Sequence, residues 1–407
     1  MKSVALFVLL MLTTYKNVGQ IPAIQLMGEE DEIKIPFTFY YNFIIVDVML
    51  DGLLPMRLLL DTGAENTLIF DKLYIDLIGA QYEREIRIMG SDFSTEMNAL
   101  IARRIPFTFP RLGDTHTDVI VLQENLYHLE QFIGTEIHGI LGANIFNGLV
   151  LSIDYQKEVI RITRPDKYKP PRASYRQPLT IHKSKPYCKA YTQCGSNPPD
   201  SLNFLLDTGA GVTTMLHNNT HPSIQVPENV ISGNLGSGLG GYIKGYIGRI
   251  KEFRLGPYGF ENVISSFQAL DSTYLAKAEI IRHGIIGNQI MRRFDIAIDY
   301  TKQILYLTPN SNYYEEFRVD KSGIFLIASG PNLNHYYIQD VLPNSPAARA
   351  GLKAGDRILS VNGLYVGFFT MSWLARQFQK EKGKRIKLKI RRQDKKLKRV
   401  FYLDDLI

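Results

Sequence analysis

Two aspartates carry the strongest chemical signal in this chain. Asp61 closes the run Leu58-Leu59-Leu60 and Asp207 closes Phe204-Leu205-Leu206, and each is followed by Thr-Gly-Ala. An acid at the end of an apolar strand is costly unless hydrogen bonds or a shared proton offset its desolvation. A single Asp-Thr-Gly is a common turn in which the carboxylate caps backbone N–H groups. Two copies are hard to explain as turns when each is followed about 76 residues later by His-Gly-Ile and a further apolar-Gly pair.

Those acids sit inside a repeat, the first feature to look for in a chain of this length. Leu58–Ala64 recurs as Phe204–Ala210 at an offset of 146 residues. His138-Gly139-Ile140-Leu141-Gly142 recurs as His283-Gly284-Ile285-Ile286-Gly287, and Asp154-Tyr155 as Asp299-Tyr300, both at an offset of 145. Three matches in one register define two copies of one lobe. Both copies read mostly as strands, such as 42–50, with a hairpin leading into each Asp-Thr-Gly. Short helices are expected after the later glycines, over Ala143–Phe146 and 288–294.

The proline-bearing stretch 165–178 reads as a linker. The divisions expected are a signal peptide over 1–20, a first lobe over 21–164, that linker, a second lobe over 179–312 and a third unit over 313–407. Lys2 followed by the apolar run Val4–Leu12 matches a secretory leader, since a bilayer-spanning helix needs about twenty apolar residues. An exported protein, periplasmic or extracellular, with no membrane-integral segment after leader removal, is the expectation. Only Cys188 and Cys194 occur. If 187–193 is a strand they lie ~20 Å apart, too far for a disulfide, so both are expected unpaired.

The paired Asp-Thr-Gly-Ala motifs resemble those of aspartic proteases of the retropepsin and pepsin kind, over roughly residues 35 to 310. Alanine after the glycine, together with Ile140-Leu141-Gly142 and Ile285-Ile286-Gly287, resembles the retroviral branch. Both halves lie in one polypeptide here, which implies that a monomer is competent for catalysis. The resemblance implies an all-β, two-lobed acid-protease barrel pair built by internal duplication. Asp61 and Asp207 would be the catalytic residues, with no cofactor and no metal. Two carboxylates about 3 Å apart share one proton, because both cannot ionise cheaply. The charged member activates a water; the protonated member hydrogen-bonds the developing oxyanion and protonates the leaving amine. Gly63 and Gly209 would let backbone approach the pair, and Thr62 and Thr208 would bond across the lobe interface. Gly240, Gly241 and Tyr242 resemble a glycine-rich substrate-covering flap, whereas Met89-Gly90-Ser91-Asp92 in the first lobe lacks the glycine cluster. Ala64 and Ala210 offer no hydroxyl to the carboxylates, so a mildly acidic optimum is expected.

The third unit carries Val341–Gly363, which reads as a strand, a short helix capped by Ser345 with Pro346 at its first position, and a strand ending in an Asn362-Gly363 turn. It resembles a bacterial-type PDZ domain, a small α+β unit. That resemblance implies capture of an extended peptide by strand addition, between Gly323, Ile324, Phe325 and Leu326 and a helix near 371–378.

Composition narrows the alternatives. With 45% hydrophobic and 21% charged residues among 407, the chain is an ordinary globular one. The formal charge of +7 is local: thirteen Lys/Arg against two acids lie between Arg376 and Arg399. The Ile386–Ile390 alternation there reads as a strand with a solvated basic face, and no nucleic-acid partner is expected. Gly236-x-Gly238-x-x-Gly241 fits a dinucleotide fingerprint only on paper, since a strand pattern follows it. His138 and His283 read as lobe supports. The partners expected are a peptide or protein substrate and a peptide ligand at the third unit. The rival readings are a peptide-binding scaffold of the same fold without catalysis, and a surface adhesion protein, for which no long repeats or anchor are present.

Overall fold

The duplication is visible in how the strands pair. The computed structural model describes residues 31–90, 95–109, 113–125, 128–195, 198–238 and 241–407. The expected leader over 1–20 lies outside them. In the first lobe an eight-stranded sheet runs in the order Thr38–Tyr40, Phe43–Leu50, Leu54–Asp61, Gly139–Gly142, Thr67–Ile69, Gly113–Leu122, Glu96–Phe109, Tyr82–Met89. The second lobe repeats that order with Thr180–His182, Lys185–Gln193, Asp200–Leu206, Gly284–Ile286, Thr214–His217, Tyr258–Gln268, Gly241–Leu255 and Val230–Gly238. In each lobe the Asp-bearing strand runs parallel to the strand that carries the later glycines.

The continuous apolar runs before each aspartate follow from burial on both faces. Leu58 and Leu60 point into one core, while Leu59 packs into a second cluster with Ile45 and Ile140. Phe204, Leu206 and Leu205 divide in the same way. A third, six-stranded sheet joins the lobes: Val150–Asp154 pairs antiparallel with Phe294–Asp299, the repeated Asp154 and Asp299 stretches of the sequence.

Three local expectations need correction. The last four residues of the expected linker, Tyr175–Pro178, form the edge strand of that shared sheet, paired with Ile304–Pro309. Asn42 lies in a turn with Tyr41, both at positive φ, because the hairpin closes there. The second-lobe helix ends at Met291, and Phe294 opens a strand. Cys188 and Cys194 are free and buried.

The remaining unit is a small α+β body with its own core, which includes Ile338, Ile358, Leu374, Phe378, Ile386, Leu388 and Ile390. Its sheet runs Ile324–Ser329, His335–Val341, Arg357–Val361, Arg385–Arg392, Lys395–Tyr402. Ser345 caps the helix Pro346–Arg349 by accepting from the Ala348 N–H at 3.2 Å. The basic strand alternates as expected: Ile386, Leu388 and Ile390 are fully buried and the intervening Lys387 and Lys389 face outward. The whole chain is thus all-β in its two-lobed body, with a small mixed unit attached. Among the described residues no helix is long and apolar enough to cross a membrane.

Candidate active site

Each Asp-Thr-Gly turn leaves its strand at the interface between lobes, so the two turns face each other. Thr62 donates its hydroxyl to the Leu206 carbonyl at 2.7 Å and accepts the Thr208 N–H at 3.1 Å. Thr208 returns both bonds, to the Leu60 carbonyl at 2.8 Å and from the Thr62 N–H at 3.0 Å. Both threonines are fully buried. Four satisfied bonds across the interface fix the relative height of the two turns, since breaking any of them would strand a buried polar group.

The aspartates are thereby brought together, close enough for each carboxyl to act on the other. Asp61 Oδ1 accepts the Gly63 and Ala64 N–H groups at 2.7 and 2.9 Å, and Asp207 Oδ1 accepts the Gly209 N–H at 2.8 Å. Each glycine lies against the opposite carboxylate. A Cβ at Gly63 would stand 2.6 Å from Asp207 Cγ, and one at Gly209 would stand 2.3 Å from Asp61 Cγ. Glycine is required here for space, not for backbone conformation.

Burial pushes both carboxyls above the ordinary aspartate value. For Asp61 the Asp207 charge adds to the rise, and its two backbone donors oppose it. For Asp207 the hydrogen bond from Asp61 and the charges of Arg282 and Lys185 oppose the rise. Two buried carboxyls this close together cannot both ionise cheaply. Among the described residues, no group of three or more His, Cys, Asp or Glu side chains is arranged to hold a metal ion.

His138 and His283 take the supporting place expected of them. Their Nδ1 atoms accept the Arg57 and Asn203 N–H groups at 2.9 and 3.1 Å. The hairpin Val230–Gly238/Gly241–Leu255 includes the expected flap. Gly241 pairs with Gly238, and Tyr242 with Ser237. Gly240 lies outside the described residues. Ile243 packs into the apolar cluster that touches Ala210. The first lobe has a counterpart hairpin, Tyr82–Met89/Glu96–Phe109, whose Ile86 and Ile88 join the cluster around Ala64. A glycine cluster is therefore not needed to form a hairpin there.

Sequence reasoning missed four residues beside the pair: Lys185 and Tyr187, and Glu65 and Arg282, whose charges act on both of them. Aligning the two halves position by position would have exposed Lys185 and Arg282, which stand where the first lobe has Phe43 and Ile137.

At the third unit, Ile324–Leu326 opens the edge strand Ile324–Ser329, and Gly323 precedes it at positive φ. That strand packs against the first-lobe helix Leu129–Ile133. Tyr40 Oη donates to the Gly134 carbonyl at 3.2 Å and accepts the Met371 N–H at 3.1 Å. The expected groove is therefore leaned upon by the chain's own first lobe at the start of the helix Met371–Phe378. Gly134 caps the first-lobe helix at φ +82°, and a Cβ there would stand 2.7 Å from Met371 Cβ. Gly134→Ala is expected to cost about 1–3 kcal/mol through overpacking and left-handed strain. Thermal unfolding checks this, and an unchanged melting temperature would contradict the contact.

Comparison with known proteins identifies residues 337–392 as a PDZ domain. Among solved structures the chain is similar to an aspartic proteinase from Irpex lacteus, at 13% identity and a TM-score of 0.42, over 70% of this chain and 99% of that one. No curated protein matches the sequence.

Proposed function

We propose that the two-lobed body is an aspartic endopeptidase, retropepsin-like in its Asp-Thr-Gly-Ala motifs, and that the PDZ domain binds peptide segments of substrates or partners. The observation that carries this reading is the close facing of the Asp61 and Asp207 carboxyls, each packed against the opposite turn's glycine and held by the reciprocal Thr62 and Thr208 bonds. A lone pair of buried acids has no structural use that apolar residues would not serve better.

In this reading Asp207 holds the negative charge, because Arg282 and Lys185 favour its ionised form. Asp61 holds the shared proton. Asp207 removes a proton from a water lying between the carboxyls, and the water oxygen attacks the peptide carbonyl carbon. Asp61 hydrogen-bonds the developing oxyanion. Collapse breaks the C–N bond as the amine takes a proton from the pair, which regenerates the singly protonated state. In this reading both hairpins cover the cleft and exclude water. The apolar run over 4–12 behind Lys2 supports export to a periplasmic or extracellular location, and one chain suffices for the site.

The test is incubation of the full chain with a peptide library between about pH 3 and 8, in water enriched in oxygen-18. Internal cleavage with one heavy oxygen in the new carboxyl is expected. Absence of cleavage across that range overturns the reading and favours a peptide-binding scaffold.

A further inference from the structure

The duplication supplies an internal control for the cleft, because equivalent positions in the two lobes are identified by pairing. Tyr40↔Phe43 in the first lobe corresponds to His182↔Lys185 in the second, so Lys185 takes the place of Phe43. Ile45↔Leu59 corresponds to Tyr187↔Leu205. Phe70 and His217 each donate a backbone N–H to the carbonyl of the repeated histidine. Ile137 and Arg282 each precede that histidine. Phe70, Ile137 and Ile45 are buried and Phe43 packs on their cluster, so the first-lobe set is wholly apolar. The second lobe presents Lys185, Tyr187, His217 and Arg282 instead.

Lys185, Tyr187 and Arg282 lie within electrostatic reach of the aspartate pair. In the first lobe, Phe43 reaches across to Gly211, four residues beyond Asp207, where a Cβ would stand 2.9 Å from its ring. By the same geometry Lys185 reaches toward Glu65, four residues beyond Asp61, and it feels the charges of both Glu65 and Asp61. Arg282 is buried, and its charge acts on Asp207, Tyr187, His217 and Lys185. His217 is held neutral by its burial and by that neighbour, so it adds no charge. Burial and the Arg282 charge lower the Lys185 pKa from the ordinary lysine value. The Lys185 ammonium makes no hydrogen bond or ion pair among the described residues.

We propose that Lys185, with the buried Arg282 behind it, forms a carboxylate-binding subsite beside the aspartate pair, which takes an acidic side chain of the substrate on the second-lobe side of the cleft. A half-buried ammonium next to a second cation is costly, and an incoming carboxylate relieves both desolvation and repulsion. The corresponding position across the cleft, built around Phe43 and Ile137, takes an apolar side chain. The proposal rests on the peptidase reading above, which places substrate along this cleft.

The experiment measures kcat/KM for end-blocked peptides that carry Glu or Gln at each position flanking the cleaved bond in turn. Free-terminus versions of the same peptides show whether a terminal carboxylate serves as well. At one position on one side, Glu is expected to exceed Gln by at least ~10-fold. Lys185→Glu is expected to reverse that order, so that Gln exceeds Glu. Lys185→Phe, which installs the first-lobe residue, is expected to erase it, and covers the case in which the charge reversal does not fold. Cleavage with Glu and Gln within twofold at every position, or an order unchanged in both variants, overturns the subsite. Equilibrium binding of the same peptides to Asp207→Asn separates the two readings. Discrimination in binding without any cleavage by the unaltered chain would leave the subsite standing and remove the peptidase.

Discussion

Replacing Asp61 or Asp207 with Asn is expected to lower peptide-cleavage kcat/KM by at least ~10³-fold, because each change removes one partner of the proton exchange. The fold should survive, and the sign of the stability change is informative. Burial and the neighbouring acid raise the Asp61 pKa in the folded chain above its unfolded value. A carboxylate raised in this way costs stability that grows as pH climbs from its unfolded value toward its folded one. Asparagine cannot ionise, so Asp61→Asn is expected to melt no lower than the unaltered chain at neutral pH, and higher than it if that cost dominates. Steady-state kinetics together with calorimetry check both halves. Activity within tenfold of the unaltered chain would contradict the role of that acid.

A second large effect is expected at Gly209. Alanine there would place its Cβ 2.3 Å from Asp61 Cγ, and Asp61 is pinned by the Gly63 and Ala64 N–H groups at 2.7 and 2.9 Å. Either the carboxyl moves or the turn does, and a displacement near 1 Å costs about 10²-fold in rate. Gly63→Ala is the mirror experiment against Asp207. Gly259→Ala serves as control, because its nearest neighbour would be the flexible end of Glu252 at 3.7 Å. A Gly209→Ala chain that cleaves peptide as fast as the control would mean that the two turns do not face each other as described.

How much of this could be read from the residues depended on whether the information was local. The repeat was legible because Asp-Thr-Gly-Ala, the later His-Gly-Ile and the Asp-Tyr pairs recur in one register. The strands around them were legible because their apolar runs are buried on both faces. The helix cap at Ser345 and the Asn362-Gly363 turn were legible for the same reason, with both turn residues at positive φ. The threonine exchange came only through family likeness; nothing in Thr62 alone says that its partner is Leu206.

Other features were hidden for physical reasons. Tyr175–Pro178 reads as linker by composition, yet pairing with Ile304–Pro309 makes it a strand. The tight turns at Tyr41-Asn42 and Lys183-Ser184 lack the usual Asn-Gly spelling, although all four residues adopt positive φ. The contact among Tyr40, Gly134 and Met371 joins distant segments, as does the approach of Lys185 to Arg282. Lysine at 185 reads in isolation as a solvated strand end. Only its equivalence to Phe43 points to a place beside the aspartate turns.

The pH dependence of kcat/KM tests most directly whether one proton is shared between Asp61 and Asp207. In the proposed mechanism activity requires the singly protonated pair, so it falls on the acid side as Asp207 becomes protonated and on the alkaline side as Asp61 ionises. Both groups are shifted upward, Asp61 the further. The expected profile is a bell with its maximum at about pH 5–6, with both limbs lost in the asparagine variants. A maximum below about pH 3, or a single-limbed profile, would contradict a shared proton.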